Sequence, residues 1–232
     1  MTTLAGTSVL VIGASGGLGS EIARLLSAAG AQLILSARYA SALEALRIPG
    51  AVVTANLARP AEVDELVAAA VRVHGRLDGI VIAAGVVAFG PAASLRDDTL
   101  DNLFAVNTFA PIRLIRSAHD ALAASAAAGR EPFVVTISGV VSEHPTANLA
   151  AYSASKAAIH AFGQAAAREL RRDGIRILDA RPGHTETGLS SHPIAGTAPR
   201  LAVGYQPDLV ARRIVDAIVN GELDLPSTAF GA

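Results

Sequence analysis

The chain of 232 residues has no cysteine and no tryptophan, one methionine, and only 17% charged and 4% aromatic residues. Without cysteine, disulfide staples, thiolate nucleophiles and sulfur-ligated metals are excluded, and the redox compartment leaves no mark. The six histidines show no metal-ligand spacing such as His-x-x-x-His. Charge of neither sign dominates: nineteen basic residues against twenty acidic ones give a net charge of -1, which supports neither a nucleic-acid surface nor an acidic solvating tail. Arg168, Arg171, Arg172 and Arg176 cluster where a helix ends, and cations there complement its dipole. Lysine is nearly missing as well, since eighteen of the nineteen basic residues are arginine and the one lysine is Lys156. Codon bias in a GC-rich genome accounts for an Arg-rich, Ala-rich composition without reference to function, so only the position of Lys156 carries information.

Long hydrophobic runs are lacking too. The chain is 51% hydrophobic with a mean hydropathy of +0.43, but the runs at 9–12, 80–84 and 133–137 are interrupted well before the ~18 residues a membrane span needs. They read as buried strands, and no membrane association is expected. The first eight residues have neither a basic region nor a cleavage-site pattern, so a cytoplasmic protein is the expectation.

What is present is an alternation. Strand-length apolar runs at 8–12, 32–36, 51–55, 79–83, 133–137 and 176–179 separate stretches of helical spacing at 18–29, 40–46, 61–73, 100–128, 152–172 and 208–220. Continuous Val/Ile/Leu runs, unlike alternating ones, imply strands covered on both faces, as in a parallel sheet between helix layers. The expected class is α/β, a doubly wound Rossmann-like three-layer sandwich with a mainly parallel sheet. No linker or composition shift divides residues 1–232, which read as a single domain.

The first strand runs into Gly13-Ala14-Ser15-Gly16-Gly17-Leu18-Gly19 and then a helix. Glycine permits a sharp turn and close backbone approach to a diphosphate, whose charge the helix start favours. Gly13, Ser15, Gly16, Gly17, Leu18 and Gly19 are therefore candidate dinucleotide-binding residues. The second strand ends in Leu35-Ser36-Ala37-Arg38, with no carboxylate for a ribose 2'-hydroxyl but an arginine able to pair a 2'-phosphate. NADP(H) is the expected cofactor and NAD(H) the alternative. After the third strand, Asn56 offers a side-chain carbonyl to an adenine amino group, with Leu57 as apolar neighbour.

Tyr152-Ser153-Ala154-Ser155-Lys156 opens a helical segment, and a spacing of four puts phenol and ammonium on one face. A neighbouring fixed cation favours phenolate, lowering a pKa whose reference value is ~10, so Tyr152 is a candidate acid/base and Lys156 its activator and a ribose ligand. Asn107 lies four residues before Pro111, which has no N–H to donate back. Two readings stand: a kinked helix whose freed Asn107 carbonyl holds a relay water, or a helix that starts near Pro111.

With the glycine turn at 13–19, Asn107, and Tyr152 with Lys156 in this order, the chain resembles the short-chain dehydrogenase/reductase family over nearly its whole length. Pro182-Gly183 followed by Thr187 is similar to the family's Pro-Gly-x-x-x-Thr segment, whose Thr contacts the nicotinamide carboxamide. The resemblance implies a seven-stranded parallel sheet and a homodimer or homotetramer built through the helices carrying Asn107 and Tyr152. It also implies hydride transfer between a nicotinamide cofactor and a small-molecule alcohol or carbonyl, with Tyr as acid/base, Lys as activator, Asn holding a relay water and Ser polarising the carbonyl.

Three departures stand out. The family's serine, thirteen residues before the tyrosine, is Gly139 here, so the hydroxyl falls to Ser138, to Ser142 or to neither, with His144 a further candidate donor. Losing such a contact costs ~3 kcal/mol, about a hundredfold in rate. Ile82-Ala83-Ala84-Gly85 stands where the family commonly has Asn-Asn-Ala-Gly; Ala84 and Gly85 retain the close approach to the cofactor, while hydrogen bonds tying down the fourth strand are lost. Third, the C-terminal Gly-rich segment is absent, and any last strand near 222–225 is short. Residues 184–206, long for a passive connection, are the expected substrate lid. Because of Gly139, a non-catalytic NADP(H)-binding sensor or scaffold is the alternative function.

Overall fold

The computed structural model describes residues 2–231. Seven strands form one sheet in the order β3-β2-β1-β4-β5-β6-β7, all paired in parallel. They are β1 (Ser8–Ile12), β2 (Gln32–Ser36), β3 (Ala51–Val52), β4 (Gly79–Ile82), β5 (Phe133–Ile137), β6 (Arg176–Ala180) and β7 (Asp224–Leu225). The helices are α1 (Gly17–Ala28), α2 (Ala40–Glu44), α3 (Pro60–His74), α4 (Asp97–Phe104), α5 (Ala110–Ala127), α6 (Ala150–Leu170) and α7 (Pro207–Asn220). The doubly wound α/β class expected from the alternation is the one observed.

Both faces of the sheet are buried, which explains the unbroken apolar runs. In β1, Val9 and Val11 join a core with Ile22 and Leu26 of α1 and Ile214 and Ile218 of α7. Leu10 and Ile12 point the other way, to Leu66 of α3, Leu114 of α5 and Ala166 of α6. Strand order reverses between β1 and β4, and a crevice opens there at the strands' C-terminal ends.

Two elements differ from their sequence expectation. Strand β3 pairs over two residues instead of five because it is an edge with β2 as its one neighbour. The segment read as one helix over 100–128 begins at Asp97 and contains a π turn, Ala105–Phe109, between α4 and α5. Pro111 sits in the first turn of α5, so the missing N–H is accommodated by a wider turn within a continuous helical path. The last strand, Asp224–Leu225, is as short as expected.

Candidate active site

Turn 13–19 carries the chain from β1 into α1. Gly13 has φ +78°, and a Cβ there would lie 2.5 Å from the amide nitrogen of Ala84, so only glycine allows β1 and β4 to end this close together. The N-cap of α1 is Gly16, with no capping side chain and no acidic residue in the first turn. The helix start therefore keeps a partial positive charge directed into the crevice. A Cβ on Gly17 would lie 2.8 Å from Cα of Thr187, which puts Thr187 directly over the turn.

One cavity of about 750 Å³ is lined by Gly13, Ser15, Gly16, Gly17, Leu18 and Gly19, and by Arg38, Asn56, Leu57, Ala84 and Gly85. Ser138, Tyr152, Lys156, Pro182, Gly183 and Thr187 line it as well. The fold thus gathers onto one surface residues that the sequence scatters over 175 positions, from 13 to 187. Among the described residues, no carboxylate lines it. Asn56 also acts locally, its Oδ1 accepting a hydrogen bond from the Ala58 amide at 3.1 Å and so shaping the entry to α3.

Asn107, which the π turn aims inward, lies behind this wall and is 1% exposed. Its Oδ1 accepts from the Val86 amide and its Nδ2 donates to the Val86 carbonyl, both at 2.9 Å. A further bond runs from Nδ2 to Ser155 Oγ at 3.1 Å. The side chain thus acts like an extra strand partner for the segment after β4. A methyl on Gly85 would stand 3.3 Å from Asn107 Oδ1 and 3.4 Å from Lys156 Nζ, so all three groups converge.

Tyr152 and Lys156 share one face of α6, with the ammonium 6.0 Å from the ring centroid. Lys156 Nζ donates to the Ile137 carbonyl at 2.7 Å. The expectation that Lys156 pulls the phenol toward ionisation is not met in this arrangement. Burial pushes Tyr152 up to about 12. Burial also brings Lys156 down to about 8, although the charge of Asp179 works against that. Desolvation dominates because both groups are set into the inner wall of the cavity, Tyr152 half-buried and Lys156 buried, with the ammonium turned to a backbone carbonyl. Below pH 8 the pair is thus a neutral phenol beside an ammonium, the state suited to giving a proton to a carbonyl oxygen.

Both serines near the turn are hydrogen-bonded within the protein. Gly139 has φ +74°, where a Cβ would meet no atom nearer than 3.7 Å; backbone conformation and not space favours glycine. Ser138 is fully buried, and its hydroxyl donates to Asp179 Oδ2 at 2.6 Å. Ser142 donates to the Gly139 carbonyl at 2.7 Å and is 3.1 Å from Ser138 Oγ. Of the two, only Ser138 lines the cavity, with its proton directed away from it. His144 is exposed and outside the cavity lining.

Several residues of 184–206 reach the cavity wall. Ala195 bridges to Ala88, Thr185 bridges to Tyr205, and the Ile194 amide donates to the Val87 carbonyl at 2.8 Å. His184, Leu189, Ile194 and Leu201 contribute to the lining.

A charged cluster behind the wall went unremarked in the sequence. Asp179 accepts from Thr136, Ser138 and His160. Arg181, 4% exposed, donates to Glu143 and, through two nitrogens, to Asp224 at 2.7 and 2.8 Å. It thereby ties the turn after Gly139 to the short β7. The available signal was an aspartate inside an otherwise apolar buried strand, with a histidine one helical turn beyond Lys156.

The family described as short chain dehydrogenase matches residues 7–195. A dehydrogenase/reductase SDR family protein 7-like from Anopheles gambiae is 30% identical over 241 residues, covering 96% of this chain and 75% of that protein. The cyclic-di-GMP-binding biofilm dispersal mediator protein of Escherichia coli K12 is 32% identical over 193 residues, 81% of this chain and 76% of that one. A metagenomic short-chain oxidoreductase solved in complex with NADP is 28% identical with a TM-score of 0.80, covering 97% of this chain and 98% of that chain. Its fold, the glycine turn and the matched residues place this chain in the short-chain dehydrogenase/reductase family of oxidoreductases.

Proposed function

We propose that this protein is an NADP(H)-dependent oxidoreductase that interconverts a small, uncharged, largely apolar carbonyl compound and its alcohol. The observation that carries the reading is the single cavity joining the glycine turn, Arg38 and Thr187 to Tyr152 and Lys156. The uncapped start of α1 and the Gly13 turn suit a dinucleotide diphosphate. A nicotinamide held near Thr187 would supply the hydride. Tyr152 gives or takes the proton on the substrate oxygen, and Lys156 holds positive charge beside the phenol and binds ribose hydroxyls. Asn107 fixes the floor at Val86. Val87, Phe89, Leu149, Ile194 and Leu201, with no carboxylate among the described lining residues, favour an apolar substrate under a lid formed by 184–206.

The test is NADPH oxidation with a panel of apolar ketones and aldehydes, native protein against Tyr152→Phe. Native turnover well above the variant, falling as pH rises through about 8 when Lys156 loses its proton, is the expected result. NADPH binding without turnover above the Tyr152→Phe background would favour the second reading, a nucleotide-binding sensor or scaffold. That reading draws support from Gly139 at the serine position and from the E. coli relative named for binding a cyclic dinucleotide.

Arg38→Ala is expected to weaken NADPH at least tenfold more than NADH, because loss of one charge-assisted phosphate contact costs ~1.5–3 kcal/mol. Titration of both cofactors checks it; equal losses would show that Arg38 does not read a 2'-phosphate. The same reading includes a cytoplasmic homodimer or homotetramer. Phe109, the last residue of the π turn and 47% exposed, offers an apolar contact on the face expected to pair. No helix among the described residues is long and apolar enough to cross a membrane.

A further inference from the structure

Asp179 is an anomaly. It lies in β6 between Leu178 and Ala180, is 5% exposed, and has no place in the hydride-transfer scheme above. Its two oxygens are fully engaged. Oδ1 accepts from Thr136 Oγ1 at 2.7 Å. Oδ2 accepts from Ser138 Oγ at 2.6 Å, meets His160 Nδ1 at 2.7 Å and lies 3.3 Å from Arg181 Nη1.

The two hydroxyls come from positions 136 and 138, on either side of Ile137. The carbonyl of Ile137 is the acceptor for Lys156 Nζ. One carboxylate therefore grips the chain immediately before and after the atom that orients the lysine. On α6, Lys156 and His160 are one turn apart, so the helix face that carries the ammonium also meets Asp179.

We propose that Asp179 is a positioning residue of the active site: it is the buried counter-charge of Lys156 and, through Thr136 and Ser138, the clamp that fixes the Ile137 carbonyl beneath it. This rests on Lys156 being the active lysine of the reductase reading. The other charges around Asp179 are accounted for. Arg181, from the segment after β6, is chiefly held by Asp224 of β7 and Glu143 of the turn after β5. His160, from α6, has Asp179 as its partner. Burial opposes ionisation of Asp179, but the bonds from His160, Ser138 and Thr136 outweigh it and hold the carboxyl below its usual range. It remains anionic at neutral pH, where its field favours the lysine's charged form. Ser138 thereby has a role other than touching substrate, since its proton completes the clamp.

The composition makes this directly measurable. Lys156 is the only lysine in the chain, so protein labelled with carbon-13 lysine has a single side-chain resonance to titrate, without cofactor or substrate. In the native protein its midpoint is expected near 8, and in Asp179→Asn about one pH unit lower, since a one-unit shift corresponds to a tenfold change in the protonation equilibrium. The pH above which reductive turnover falls should move down by the same interval. An unchanged or raised midpoint overturns the proposal.

If Asp179→Asn fails to fold, the double variant Thr136→Val, Ser138→Ala replaces it. It keeps the carboxylate and releases the chain around Ile137. A lower lysine midpoint supports the clamp, and a midpoint equal to the native one overturns it. The resonance does not depend on turnover. A shifted midpoint in a protein inactive toward every carbonyl would uphold the role of Asp179 and count against the reductase reading, while an active protein with an unshifted midpoint would do the reverse.

Discussion

Lys156→Arg is expected to lower turnover by two to three orders of magnitude while the protein stays folded. Arginine keeps the charge, indeed to higher pH than lysine, so the substitution separates charge from shape. The space is set by three fixed groups. Nζ reaches the Ile137 carbonyl at 2.7 Å, and a methyl on Gly85 would stand 3.4 Å from Nζ and 3.3 Å from Asn107 Oδ1. A planar guanidinium has no room to keep that bond and also face Tyr152 and a ribose. Losing a preorganised electrostatic contact costs ~3–4 kcal/mol of transition-state stabilisation, a factor of about 10²–10³ in kcat. Steady-state kinetics alongside circular dichroism checks it. Full activity in the arginine variant would make the lone lysine an accident of an arginine-rich composition.

Asn107→Ala is expected to cost roughly 2–4 kcal/mol of stability, because it strands the Val86 amide and carbonyl and one bond to Ser155. In a domain of this size that lowers Tm by about 4–16 °C. Turnover should fall as well, since the segment carrying Gly85 and Val86 floors the cavity and loses its one side-chain strap among the described residues. Differential scanning calorimetry and the ketone assay measure the two effects. A Tm within 1 °C of the native value would mean that the strap does not hold this floor, about the shift expected for a change of under ~0.5 kcal/mol.

Much of this was legible in the chain itself. The spans of β1, β2 and β5 follow from apolar runs bounded by glycine, proline or polar residues, because burial on both faces leaves no alternation to disguise them. The same cue misjudged β3, since an edge strand's pairing is decided by its single neighbour. The glycine turn, Arg38, Tyr152 and Lys156 follow from residue type and spacing, Thr187 from the resemblance to the family, and the fold brings them to one cavity. Pro111 left a kinked helix and a helix start both open, and the form observed, a π turn that aims Asn107 at Val86, depends on what lies across from it.

Sequence by itself determined the class of fold, the turn that suits a dinucleotide and the pairing of a tyrosine with the only lysine, because periodicity, glycine and spacing are local properties. Tertiary structure decided everything that turns on desolvation and direction. It raised Tyr152 and lowered Lys156, where spacing alone predicted an activated phenol, because both groups are desolvated in the inner wall of the cavity. It turned the Ser138 hydroxyl toward Asp179. It also brought Arg181, Glu143 and Asp224 together from three distant stretches to brace the turn at Gly139. Partners so far apart in the chain meet only when the sheet is assembled, and burial sets their charges only after they have met.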